Sequence, residues 1–261
     1  MNIVIGAVSV ALGLAYIALG VLGVFEVMQD YRVLGVSRFG LGFAIMASSC
    51  GPHHMIHALH AFEGKDVSGT VAVATLMGLP AGLGFVTLRL EAMFGGRGDR
   101  FISGTPRWLA AIPVSFLIVV GLLVDHAAFS SSRPLDVWSP AFLPNLFVVV
   151  TYSLVGWCLI RTQIRRRPEL GGWSLSGVAL AAIFPTCAAM HLTYAFAARG
   201  DLHSAVFDIW GIPASLYFLW VVRRLYQQSI VDWNRRPIIG DSRPAARRSP
   251  WEHNEPAVSS R

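Results

Sequence analysis

The segment "IVIGAVSVALGLAYIALGVLGVF" (residues 3–25) decides the class of this protein, because no charged side chain interrupts it. A helix that crosses a bilayer needs about 20 consecutive, mainly apolar residues. Similar runs recur along the chain, which is 54% hydrophobic, only 14% charged and has a mean hydropathy of +0.55. The sequence therefore predicts an all-α, seven-helix transmembrane bundle with spans at about residues 3–27, 39–62, 69–90, 107–129, 141–161, 173–197 and 204–226.

The basic residues predict how the bundle is oriented. Most arginines lie in the connections after the first, third and fifth predicted helices and in the C-terminal tail, whereas the opposite side carries only Lys65, Arg133 and Arg199. Cytoplasmic loops carry the excess of Lys and Arg. We therefore predict an inner (plasma) membrane protein with its N-terminus outside and its C-terminus in the cytoplasm. The basic excess is explained by topology and contact with anionic lipid, and it gives no support for nucleic-acid binding.

Two pairs of segments indicate an internal repeat. "GLPAGLGF" (78–85) and "GIPASLYF" (211–218) share glycine, proline, alanine, leucine and phenylalanine at a constant offset of 133. "HALHAF" (57–62) aligns with "HLTYAF" (191–196) at an offset of 134, which pairs His57 with His191. The paired segments are four helices apart and cross the membrane in the same direction. They therefore predict a parallel repeat about a pseudo-two-fold axis along the membrane normal.

The repeat predicts a 3+1+3 layout, in which helices 1–3 resemble helices 5–7. The seven-helix domain covers residues 1–229, with repeat 1 at about 1–92, a linker helix at about 105–130 and repeat 2 at about 140–229. The layout is similar to that of sugar carriers of the SWEET class, a likeness of architecture that carries no function. The tail at 230–261 is rich in Pro, Arg and Ser and is predicted to be a disordered, basic, cytoplasmic segment.

The stretch "SSCGPHHMIHALHAFEG" (residues 48–64) places four histidines on one predicted helix, three of them on one face. The predicted topology brings seven of the eight histidines of the chain into one outer-leaflet layer. Ionisable groups inside a membrane are costly and mark functional sites, and neutral imidazole is the commonest side-chain metal ligand. The sequence therefore predicts a metal or cofactor site with His53, His57, His60, His191 and His203 as ligands, and with His126, Asp125 and Asp208 as additional or orienting groups.

His57 and His191 are the repeat-related pair and are predicted to lie at equal depth. Such a pair suits the two axial positions of a b-type haem. It suits equally a centre that binds Cu, Fe or Zn, completed by the other histidines. The chain has no C-x-x-C-H motif, which excludes covalent c-type haem. The predicted function is accordingly redox chemistry or metal handling in the membrane.

A short motif raises a second function. Ser49-x-x-x-His53 resembles the serine–histidine motif of the membrane zinc hydrolases that include alkaline ceramidases and adiponectin receptors, which are also seven-helix proteins. The resemblance implies a zinc-dependent hydrolase that acts on a lipid or an amide. The second signature of that family, a late H-x-x-x-H, is missing, because Ala195 stands four residues after His191.

A third function is metal-ion or proton-coupled transport, which the parallel repeat and the mid-span prolines Pro80 and Pro213 favour. All three functions imply the lipid bilayer and a metal, a small molecule or a lipid as partners. The cysteines Cys50, Cys158 and Cys187 fall inside predicted spans. They are predicted to be small core residues and not a disulfide framework, with a ligand role for Cys50 or Cys187 as the alternative.

Overall fold

A computed structural model describes residues 2–64, 69–95, 99–105, 111–130, 134–197, 204–227 and 238–239. Within these ranges the all-helical prediction is confirmed. The seven helices are α1 (Asn2–Leu34), α2 (Arg38–Phe62), α3 (Gly69–Phe94), α4 (Ala111–Phe129), α5 (Leu143–Leu170), α6 (Leu175–Ala197) and α7 (Ala205–Gln227). Four two-residue strands accompany them: β1 (Val36–Ser37), β2 (Phe101–Ile102), β3 (Trp173–Ser174) and β4 (Ile238–Ile239). The predicted tail at 230–261 lies outside the described residues apart from β4.

Six of the described helices are long and apolar enough to cross a bilayer, namely α1 and α3 to α7. They indicate a membrane protein, because a helix satisfies its own backbone hydrogen bonds where no water is present. The helix α2 is not among the six. It carries four histidines and two serines, which lower its hydropathy although it has 25 residues. That α2 also crosses the membrane stays a prediction.

Glycines in the left-handed conformation end α1 and α5. Gly35 has a φ of 72°, and Gly171 has a φ of 66°. The amide of Gly35 donates to the carbonyl of Tyr31 at 3.1 Å, which closes the last turn of α1. Glycine is favoured here because a Cβ atom would strain the left-handed backbone.

Serine side chains then begin α2 and α6. The hydroxyl of Ser37 accepts a hydrogen bond from the amide of Gly40 at 3.1 Å. The hydroxyl of Ser174 accepts one from the amide of Gly177 at 2.9 Å. Each serine caps one of the amides that a helix N-terminus leaves free. The adjoining strands pair antiparallel, β1 with β4 and β2 with β3.

The helices pack in matched pairs. Helix α1 packs against α2 and α3, and α5 packs against α6 and α7. The two groups meet where α2 contacts α7 and where α3 contacts α6. Helix α4 lies at the periphery and has Ala127 as its one buried side chain. Large apolar side chains such as Leu117 and Leu122 on α4 are exposed, as expected for a surface that faces lipid.

Phenylalanines form the middle of the bundle. The rings of Phe184 and Phe218 stack with centroids 5.2 Å apart, and Phe43 contacts Phe218 at 5.7 Å. Beside this layer, Glu26 of α1 and Arg89 of α3 form a buried ion pair. The histidines of α2 and α6 lie in the second halves of these helices, and Asp208 lies in the first turn of α7. These segments extend beyond the phenylalanines.

We expect Gly171→Ala to lower the free energy of unfolding by about 1–2 kcal/mol, because the left-handed conformation is unfavourable for any residue with a Cβ atom. An added Cβ would meet no atom within 4 Å at Gly171 or at Gly121 in α4. Gly121→Ala is therefore the matched control, and it should leave stability unchanged or raise it. Equilibrium unfolding in detergent measures both variants, and equal losses of stability would contradict the prediction.

Candidate metal centre

Three buried side chains from three helices converge at the histidine end of the bundle. They are His53 of α2, His191 of α6 and Asp208 of α7, with 1%, 2% and 1% of their surfaces exposed. Each offers one nitrogen or oxygen atom, and these three atoms lie within 4.8 Å of one another. Two imidazoles and a carboxylate at this spacing can hold a metal ion.

His53 lies at the centre of the cluster. Its Nδ1 is 2.9 Å from Oδ1 of Asp208, and neither atom makes a hydrogen bond in that contact. Its Nε2 is 2.8 Å from Nε2 of His57, one helical turn further along α2. If His53 carries its proton on Nε2 and donates it to His57, Nδ1 offers a lone pair to the space beside Asp208.

His191 is oriented by an amide on α5. The side-chain nitrogen of Asn145 donates to the carbonyl of Ala141 at 2.9 Å, so its oxygen faces His191. That oxygen lies 2.5 Å from Nδ1 of His191 and must accept the proton of Nδ1. The assignment follows from the hydrogen-bond network. The buried Nε2 then carries a lone pair and has no hydrogen-bond partner among the described residues.

Asp208 is fixed by a chain of hydroxyl groups. Ser204 donates to Oδ2 of Asp208 at 2.9 Å, and Tyr194 contacts the oxygen of Ser204 at 2.7 Å. Asp208 also lies in the first turn of α7, where the helix dipole favours a negative charge. These contacts occupy Oδ2 and leave Oδ1 directed toward His53.

The electrostatics of the cluster favour a cation. With both imidazoles neutral, Asp208 gives the cluster a net charge of −1 in an apolar interior, and an unpaired buried charge is expensive. A bound cation would neutralise this charge. The contacts of Asn145 with His191, and of Ser204 with Asp208, would hold the donor atoms in place, as outer hydrogen bonds do in metal sites.

The structure brings together only some of the predicted site residues. His53, His191 and Asp208 form the cluster, and His57 contacts it through His53. His60 is buried near the end of α2, outside the group of three. Asp125 and His126 are exposed on the peripheral helix α4, away from this buried cluster, and His203 lies outside the described residues.

Other polar groups could not be assigned from the sequence. Asn145, Ser204 and Tyr194 orient the cluster, and the first two are single polar residues with no spacing pattern to mark them. Ser49 of the hydrolase-like motif donates to the carbonyl of Phe207 at 2.9 Å, so its hydroxyl joins α2 to α7. His54, which follows His53, is fully buried beside Tyr16, with ring centroids 5.5 Å apart.

No family model, curated protein or solved structure matches this chain. The functional assignment therefore rests on the donor atoms of the cluster and on the helices that hold them.

Asn145→Leu should release the preference of His191 for a proton on Nδ1, because leucine cannot accept it. In ¹⁵N spectra of the metal-free protein we expect wild-type His191 as the single Nδ1–H tautomer and the variant as a mixture. Thr151→Val on the same helix is the control, since Thr151 bonds only carbonyls of its own helix. An unchanged His191 spectrum in Asn145→Leu would argue against this orienting role.

Proposed function

We propose that the protein is an integral membrane protein that binds a transition-metal ion through His53, His191 and Asp208 and serves redox chemistry or metal handling. The observation that carries the proposal is the buried Nε2 of His191, which has no hydrogen-bond partner among the described residues and lies near two further donor atoms. A buried polar atom without a partner costs about 1–3 kcal/mol unless something binds it.

The ligand set favours an ion of intermediate hardness. Two imidazoles and one carboxylate suit Zn²⁺ in sites with an open position, and they suit non-haem Fe²⁺. When bound, such an ion supplies a Lewis acid or a one-electron centre. His57 bonds Nε2 of His53, and we propose that it sets the proton position of His53 instead of binding the ion. The variants below distinguish this role from the alternative, in which His57 itself binds the ion.

The packing of the rings favours a bare ion over haem. The ring centroids of His53 and His57 are 4.5 Å apart, those of His53 and His191 are 5.1 Å apart, and those of His57 and Tyr194 are 4.6 Å apart. A porphyrin between His57 and His191 would have to displace these contacts.

A zinc-dependent hydrolase is the second candidate function. It is supported by the same donor set, since three protein ligands and one open position are typical of catalytic zinc. Two features weigh against it. Ser49 is engaged with a backbone carbonyl, and the three ligands are almost fully buried, whereas hydrolysis requires water and substrate at the metal.

We also propose that the bundle is a parallel 3+1+3 duplication with α4 as the linker. The packing supports this, since exchanging α1 with α5, α2 with α6 and α3 with α7 reproduces the set of contacts among these six helices, whereas α4 packs mainly on α3 and α6. Cross-helix bonds support it too. The hydroxyl of Tyr16 lies 2.9 Å from Sγ of Cys187, and that of Tyr152 lies 2.9 Å from Sγ of Cys50.

These contacts favour a different register for α2 and α6 from that of the short histidine match. Exchanging the two tyrosines pairs Cys50 with Cys187, an offset of 137, and this offset also pairs the capping serines of α2 and α6. It pairs His54 with His191, in place of His57 with His191. The ring of His54 contacts Tyr16 at 5.5 Å, and that of His191 contacts Tyr152 at 5.9 Å, which supports the pairing.

Metal analysis of protein purified without a polyhistidine tag should find about one divalent transition-metal ion per chain. His191→Ala and Asp208→Asn should abolish binding, because each removes a ligand atom. His57→Ala should lower affinity by about 10–100-fold, the usual cost of losing an outer partner. His126→Ala, at an exposed histidine, is the control and should bind as wild type.

Full metal content in His191→Ala and Asp208→Asn would refute the proposed ligands, and complete loss in His57→Ala would make His57 a direct ligand. A Soret band would select haem. Zinc without iron or copper would move the assignment toward the hydrolase.

We propose the N-out, C-in orientation, which places the metal centre in the outer leaflet. A fluorescent reporter at the C-terminus should then fluoresce in the cytoplasm, and a periplasmic phosphatase fused at the same point should be inactive. The opposite pair of results would reverse the topology and place the histidine cluster on the cytoplasmic side.

A further inference from the structure

His54 is a buried histidine that the proposed centre does not use. It is fully buried, and neither of its ring nitrogens has a hydrogen-bond partner among the described residues. Neutral imidazole has one donor and one acceptor, so both remain unsatisfied in an apolar interior. Such groups are rare in folded proteins and require a specific cause.

His54 lines a narrow pocket between α1, α2, α3 and α6. Its lining residues include Tyr16, Cys187 and Met190, and it has no room for a water molecule. Water therefore cannot satisfy His54. Thr75 also lines the pocket, but its hydroxyl donates to the carbonyl of Val71 at 2.9 Å.

The donors in this pocket are soft. Cys187 and Met190 are both buried and bring a thiol and a thioether to the same pocket as the imidazole of His54. Thiolate and thioether sulfur select soft cations such as Cu(I). No carboxylate lines the pocket, so a divalent ion would lack the compensating charge that Asp208 offers in the first centre.

The proposed duplication places this pocket opposite the first centre. The offset of 137 pairs His54 with His191, and it pairs His53 with Met190. The offset of 133 pairs Thr75 with Asp208. The pocket is thus the repeat-related counterpart of the first centre. His54 stands in place of His191, the thioether of Met190 in place of the imidazole of His53, and the hydroxyl of Thr75 in place of the carboxylate of Asp208.

We propose that His54, Cys187 and Met190 form a second metal site, selective for a soft monovalent cation of the Cu(I) or Ag(I) type. Binding breaks the S–H bond of Cys187, forms a metal–sulfur bond and releases one proton to the buffer, with no change in oxidation state. Tyr16, whose hydroxyl lies 2.9 Å from Sγ of Cys187, can donate to the thiolate. The site shares no ligand with the first centre, so it does not depend on the metal proposed there.

The test uses full-length, untagged protein in detergent, reduced and stripped of metal, and titrated without oxygen. Cu(I) is delivered from a coloured chelator that competes for it, and Ag(I) serves as the redox-inert probe. Wild type should retain one Cu(I) or Ag(I) per chain, and its Cu X-ray absorption should contain sulfur scattering. Met190→Leu and Cys187→Ser should each weaken retention by more than about 100-fold, beyond the usual cost of an outer partner.

Two controls separate this site from the first centre and from loss of packing. Met46→Leu changes another buried methionine, in the phenylalanine layer, and should retain Cu(I) as wild type does. Asp208→Asn should lose the divalent ion and keep Cu(I), whereas Met190→Leu should do the reverse.

Three results would overturn the proposal: no retention of Cu(I) or Ag(I) by wild type, wild-type affinity in both Met190→Leu and Cys187→Ser, or loss of Cu(I) in Asp208→Asn with retention in Met190→Leu. The last result would assign the soft ion to the first centre. Failure of the divalent ion to bind to wild type would contradict the first centre alone.

Discussion

A carboxylate buried in an apolar bundle must obtain its charge compensation and hydrogen bonds from neighbouring helices, and the histidine end of this protein is organised around that requirement. Asp208 receives a hydrogen bond from Ser204, faces Nδ1 of His53 and lies in the first turn of α7. Moving Asp208 out of register would therefore remove these contacts from a buried carboxylate, which costs more than most packing defects.

The same constraint organises the other polar groups of the interior. Tyrosine hydroxyls bond thiols across helices, while threonines such as Thr75 and Thr193 bond carbonyls of their own helices. Both arrangements satisfy a polar group where water is absent. Against this background His54 and Nε2 of His191 stand out, because none of these ring nitrogens has a hydrogen-bond partner among the described residues. The functional proposals follow from these exceptions.

The sequence predicted the helices and placed His53, His191 and Asp208 within a larger set of candidate site residues, because apolar run length and helical rise indicate depth in a bilayer. It was insufficient for α4. Depth alone placed Asp125 and His126 beside the other histidines, but which helices become neighbours depends on packing, and α4 lies at the periphery. Asn145 was missed for a related reason: the role of a single amide side chain in an apolar helix depends on the imidazole that faces it, and that neighbour is set by packing.

The proposed repeat illustrates how two alignments of the same helices can give different registers. The match of His57 with His191 is supported by two further identical residues nearby. Between residues 37 and 58 the offset of 137 pairs six identical residues: Ser37, Gly40, Ala44, Cys50, His54 and Ala58 with Ser174, Gly177, Ala181, Cys187, His191 and Ala195. Three of these pairs, those of serine, cysteine and histidine, cap a helix, bond a tyrosine or contact a tyrosine ring, so their identity has a physical cause.

In this register, the residues that differ between the two proposed repeats carry different metal-binding groups. In the proposed pairing, one site presents the imidazole of His53 and the carboxylate of Asp208, and the other presents the thioether of Met190 and the hydroxyl of Thr75, while each site keeps one histidine of the His54–His191 pair. Hard and soft donors bind different cations. A duplicated bundle that diverged in this way would hold two ions of different charge on either side of one axis.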